Sequence, residues 1–157
     1  MQVILEAMTR AEIRRSLRNL SASLGQAFED TIQRIDEESP SRRQLAMRCL
    51  MWVSRARRPL SVEELRQALA TEVGEIQFDE DNLLQSKYII DCCFGLVVIE
   101  EESSTVRLVH YTLQDFLQSR HQQRLVSDEN EITKVCLTYL CFGGANFTLV
   151  GHLQYPE

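Results

Sequence analysis

Residues 96–117 read LVVIEEESSTVRLVHYTLQDFL, and the reading of this stretch decides the fold. Two short apolar runs, residues 96–99 and 105–110, flank a polar, acidic turn at residues 100–104. That pattern predicts a β-hairpin. On the return run, period-two alternation puts Val106, Leu108 and His110 on one face and Arg107 and Val109 on the other. Thr112 then stands where a cap is needed, ahead of a helix carrying Leu113, Phe116 and Leu117.

Immediately upstream, the spacing predicts a helix over residues 86–94, starting no earlier than Asp81, with Gly95 placed to close it in the left-handed conformation. A polar, acidic connection, residues 72–81, precedes it. Before that lies Leu60-Ser61-Val62-Glu63-Glu64-Leu65, the clearest local signal in the chain. Ser61 and Glu64 fit a capping box, and Leu60 and Leu65 fit the hydrophobic staple around it. The helix they open continues through Ala68 and Leu69. Further back, Leu45, Ala46, Cys49, Leu50, Trp52, Val53 and Ala56 form a wide apolar stripe on a helix of about four turns, ended by Arg57-Arg58-Pro59. Three helices followed by a hairpin is the order of a winged helix. The expected class is therefore mainly α: a winged helix, with three helices plus a two-stranded β-hairpin wing, flanked by additional helices.

The flanks also read as helix. Thr9 and Glu12 fit a capping box for a helix with Ile13, Leu17 and Leu20. A second helix is expected from Ser23, carrying Leu24, Ala27, Phe28, Ile32 and Ile35, with Pro40 marking its break. A last helix follows Ser127 and Asp128, carries Ile132, Val135, Cys136, Tyr139 and Leu140, and stops at Gly143-Gly144. The expected division is a helical arm over residues 1–40, the winged-helix domain over 41–122, and the start of a truncated helical region over 123–157. Met1 begins inside an apolar helical pattern (Val3, Ile4, Leu5, Met8) and the chain stops soon after a fresh helix, which suggests a fragment of something longer.

The 157 residues are 44% hydrophobic and carry a net charge of −6. This is enough for one good core, and the charge argues against general affinity for nucleic acid or anionic lipid. Twelve of the 17 basic residues fall between Arg10 and Arg66, whereas residues 72–104 hold nine acids and one base, Lys87. The five cysteines, Cys49, Cys92, Cys93, Cys136 and Cys141, are odd in number and sit among apolar residues, as reduced core thiols of a cytosolic protein do. No apolar run approaches the ~20 residues that span a bilayer, and there is no signal-peptide layout. The expected location is cytoplasmic.

Chemistry is constrained mainly by what is missing. No GxxxxGK[ST] loop is present to cradle a phosphate, and the six glycines are scattered. The cysteines lack zinc spacing and histidine partners, and none sits in a polar active-site turn. Glu100-Glu101-Glu102 reads as a solvated hairpin tip rather than a metal site. DNA reading by a winged helix needs cations on the third helix and wing. Here Lys87 and Arg107 face Asp79, Glu80, Asp81, Asp91 and the three wing glutamates. The run Arg14, Arg15, Arg18, Arg42, Arg43, Arg48, Arg55, Arg57 and Arg58 forms either solvated helix faces or a protein-partner surface. His110 is either a structural histidine bonded to backbone or a donor to a phosphate oxygen. Periodicity leaves both open.

At residues 108–117, LVHYTLQDFL, the chain resembles the end of the winged-helix domain of NACHT-type STAND NTPases. It is most similar to large fungal NACHT–ankyrin proteins, many of which carry a winged helix first named from GPI inositol-deacylase-like proteins. RRPLSVEELRQALA (residues 57–70) resembles the family's PL-x-x-x-E-L-x-x-A-L helix. Residues 20–35, LSASLGQAFEDTIQRI, resemble the helical region between the NTPase core and the winged helix. The resemblance implies a regulatory, non-catalytic module that packs against the nucleotide-binding NACHT domain and neighbouring helical domains to control their closed and open states. In that family the histidine of H-x-x-x-Q-[ED]-F contacts the nucleotide's β-phosphate. The role falls on His110, with Gln114, Asp115 and Phe116 completing the motif as packing. No cofactor is implied in this chain itself; ADP or ATP is implied only together with an upstream NACHT domain. No ankyrin repeat is legible within these 157 residues. The alternative from another class is a winged-helix nucleic-acid binder.

Overall fold

The computed structural model describes residues 10–121 and 129–142 of the 157. Thr9, Ser127, Asp128, Gly143 and Gly144 lie outside the described residues, as do the side chains of Ile13, Leu17 and Leu20.

The first helix, α1, runs unbroken over Arg10–Asp36, where two helices were expected. The expected join has no proline, and Gly25 costs a helix only about 1 kcal/mol relative to alanine. Since propagation adds a hydrogen bond for each residue fixed, a single weak position does not stop it. Phe28, Ile32 and Ile35 are buried, with Leu24 partly buried beside them. Ala27, counted on this stripe from its spacing, is exposed.

The chain then turns through residues 37–39 into α2, Pro40–Arg55. Pro40 sits in the first turn, where its missing N–H is no loss, and Ser39 before it is extended (φ −55°, ψ 149°). Leu45, Ala46, Cys49, Leu50, Met51 and Trp52 are buried along α2, which packs on α1 and, beyond it, on the elements that follow. Full burial of a Leu-sized side chain is worth about 1.5–3 kcal/mol, so this helix is the centre of the core.

A two-residue strand, β1 (Leu60–Ser61), leads directly into α3 (Val62–Ala70). The expected capping box is present: the Ser61 hydroxyl accepts from the Glu64 N–H at 3.1 Å, and Glu64 Oε2 accepts from the Ser61 N–H at 2.8 Å. Leu60 and Leu65, the staple pair, are each 2% exposed. After a short 3₁₀ turn at Glu80–Asn82, helix α4 spans Ser86–Cys92. It ends two residues earlier than the spacing suggested because Phe94 (φ 48°) already turns left-handed ahead of Gly95 (φ 82°).

The hairpin is β2 (Val97–Glu100) and β3 (Thr105–Leu108), in antiparallel register with Val97 opposite Leu108 and Glu100 opposite Thr105. Ser104 turns the chain at φ 51°. The sheet has three strands, ordered β1-β3-β2, rather than the two expected. The capping box accounts for the extra one. An N-cap residue must be extended, and Ser61 (φ −66°, ψ 157°) and Leu60 are thereby laid against Thr105 and Val106.

Helix α5 (Tyr111–Arg120) buries Leu113, Phe116 and Leu117, as the spacing predicts. Helix α6 (Glu129–Cys141) buries Val135, Cys136 and Tyr139. The buried cluster is continuous from Phe28, Ile32 and Ile35 of α1 to Tyr139 and Phe142 at the far end, so it crosses both expected boundaries. Tyr139 donates to Gln67 Oε1 of α3 at 3.0 Å, and Phe78, Tyr139 and Phe142 meet with ring centroids 6.0–6.2 Å apart. Four cysteines are buried and free; Cys141, expected among apolar residues, is exposed.

Candidate functional site

The sequence singles out the corner where β3 turns into α5. The ladder runs one step past β3, the Val109 N–H donating to the Leu96 carbonyl at 2.9 Å. His110 is still extended (φ −148°, ψ 142°), and Tyr111 is the first helical residue. The cap is therefore His110 itself, not Thr112. Its Nδ1 accepts from the Thr112 N–H at 3.3 Å and lies 2.7 Å from the Thr112 hydroxyl. An imidazole nitrogen does here what an Asn or Asp oxygen does at most helix starts. The ring is half-buried and stacks on Tyr111, with centroids 4.5 Å apart at 30°. Val109 and Tyr111 on either side are 42% and 79% exposed.

The rest of the motif divides by direction. Gln114 Nε2 donates to the Ser54 carbonyl at 3.0 Å, satisfying a last-turn carbonyl of α2 and tying α5 to it. Phe116 is buried, its ring 5.5 Å from Phe28 of α1 and 5.4 Å from His121. Asp115 is exposed. Sequence reasoning missed Thr112 and Tyr111 as partners of the His110 ring. The signal was there in the adjacency of His, Tyr and Thr, but cap rules favour Thr over His.

Electrostatics around the winged-helix face agree with the composition. Glu100, Glu101, Glu102 and Asp91 are exposed, and Arg107 is 3.6 Å from Glu100. The described arginines of that run are largely taken up by contacts within the chain. Arg42 pairs with Glu38 at 3.1 Å, Arg48 with Glu131 at 2.7 Å and with the Leu69 carbonyl at 3.0 Å, and Arg43 reaches the Asp36 carbonyl. Arg58 grips Glu64 with both terminal nitrogens, at 2.6 and 3.1 Å. Arg55 is also engaged, and Arg57 is exposed. The side chains of Arg14, Arg15 and Arg18 lie outside the described residues.

Three of the thiols are shifted away from ionisation. Cys49 is pushed well up by its hydrogen bond with Cys93 and then by burial, and burial raises Cys92 and Cys136. This is the wrong direction for a thiolate nucleophile. Among the described residues there is no group of three or more His, Cys, Asp or Glu able to hold a metal ion, and no helix is long and apolar enough to cross a membrane. A cavity of about 580 Å³ opens between α2, the end of α3 and α6, around the Arg48–Glu131 pair. No residue of the β3–α5 corner lines it.

No curated protein and no solved structure matches the chain. One family model does, described as the winged helix domain of GPI inositol-deacylase. It covers residues 33–130, from the end of α1 through the start of α6. With three helices, a wing and more than half of its residues inside that match, the chain belongs to the GPI inositol-deacylase winged-helix domain family.

Proposed function

We propose that this chain is the regulatory winged-helix module of a NACHT-type STAND signalling NTPase, working in the cytoplasm by packing against the nucleotide-binding domain. The observation that carries the reading is the geometry of His110. Its Nδ1 is occupied within the module, and no described residue bonds to Nε2. The ring stands at a helix N-terminus, where unpaired N–H groups favour an anion. Such a donor suits the β-phosphate of ADP held by a neighbouring domain. Gln114 and Phe116 fix α5 on α2 and α1, so a contact made at His110 is passed to the core rather than lost in a loop.

A bound diphosphate biases the module toward the closed state by the difference in its contacts between the two states. The nucleic-acid reading has the weaker support: the wing presents three exposed glutamates where a duplex presents phosphates, and α4 offers one base, Lys87, against one acid, Asp91.

The test uses a chain in which the nucleotide-binding domain precedes this module. His110→Ala is expected to release ADP about tenfold faster or more, the weight of one charge-assisted hydrogen bond. Unchanged ADP retention would remove His110 from the mechanism.

A further inference from the structure

We infer that Thr112 is the positioning residue that sets the chemistry of His110. In the neutral ring it fixes the tautomer protonated on Nε2, so that the corner presents a donor and recognises acceptor oxygens. For the identity of the ligand this rests on the phosphate-contact reading above; the lock itself stands on geometry alone.

Two groups of Thr112 converge on one nitrogen. The backbone N–H lies 3.3 Å from Nδ1 and can only donate. The hydroxyl lies 2.7 Å away and can donate or accept. Were Nδ1 protonated, its N–H would meet the hydroxyl well enough but would point its hydrogen at the donating backbone N–H. With Nδ1 bare, one lone pair faces both donors, and the hydroxyl supplies the short bond. In a neutral ring, a bare Nδ1 puts the proton on Nε2.

The neighbours hold this arrangement in place. Tyr111 stacks on the ring at 4.5 Å and holds its plane, while the two Thr112 contacts set which edge faces the backbone. The Leu113 N–H donates to the His110 carbonyl at 3.0 Å, which fixes the backbone of the cap. The Nε2–H then has no acceptor among the described residues. A fixed donor beside the N-terminus of a ten-residue helix suits an anionic oxygen, a phosphate's above all.

Nitrogen-15 NMR of the chain itself reads the tautomer directly, because protonated and bare ring nitrogens resonate far apart. The wild type is expected to show a bare Nδ1 and a protonated Nε2, with this form in about tenfold excess or more, as one ordinary hydrogen bond provides. Thr112→Val removes the hydroxyl and keeps the shape. Its ring nitrogens should move toward the averaged shifts of a mixed population, while the amide spectrum elsewhere stays in place. Thr112→Ser should restore the wild-type pattern. A wild type with Nδ1 protonated, or a Thr112→Val spectrum identical to the wild type, would overturn the proposal. Both outcomes are read without nucleotide, so they are separate from failure of the ADP-retention test.

Discussion

Two strand-to-helix corners lie side by side in this module, since β1 and β3 are paired neighbours and each leads into a helix. At the first, Ser61 caps α3, Glu64 sits three residues on, and Leu60 and Leu65 close around the joint. At the second, the same positions relative to the cap hold His110, Leu113, Val109 and Gln114. Every element of the first corner turns inward: Leu60 is 2% exposed and Glu64 5%. The second has no acid to complete a box and no staple, and it leaves Val109 and Tyr111 facing out. One corner is built to hold the fold. The other keeps only as much cap as the helix needs and leaves its ring available for contact.

The contrast breaks first at Glu64. Its carboxylate takes the Ser61 N–H and both terminal nitrogens of Arg58, which in turn holds that guanidinium even further above its ordinary range. Glu64→Ala leaves these donors without their acceptor in a half-buried setting, at an expected cost of about 2–3 kcal/mol in urea unfolding. A loss below about 0.5 kcal/mol, within the range of ordinary surface changes, would mean that the box is ornamental and the two corners alike.

Ser61→Ala sharpens the same point at smaller scale. It removes one acceptor from the Glu64 N–H and keeps the carboxylate side of the box. The expected loss is about 1 kcal/mol in the same measurement. Together with Glu64→Ala it forms a double-mutant cycle. A coupling energy near zero would show that the two halves of the box act separately.

The difference between the corners also explains what the sequence disclosed. The first was legible in full because a box and staple are local: the residues that signal it are those that make it. The hairpin, the apolar stripe of α2 and the buried face of α5 were legible for the same reason, through period and spacing. The third strand was not, because Leu60-Ser61 carries no strand signal and is extended only as a by-product of the cap. The unbroken α1 was hidden by Ser23, a plausible cap that a cooperative helix overrides. At the second corner His110 was legible but its setting was not. Local cap preferences pointed to Thr112, whereas strand geometry carried the extended backbone one residue further and made the histidine the cap.

His110→Asn is the smallest change in stability and the most direct comparison of the two corners. Asparagine is among the best N-caps, and its side-chain oxygen can accept from the Thr112 N–H in a shorter bond than the 3.3 Å of the imidazole. Against that gain stands the lost stacking on Tyr111, a contact made mostly at the surface. The two offset, and thermal unfolding should stay within about 0.5 kcal/mol of the wild type, as at most surface positions. A residue selected for the fold would not be so easily replaced. If the variant instead loses more than about 1 kcal/mol, then the imidazole ring itself holds the fold through its contact with Tyr111, and the second corner is structural after all.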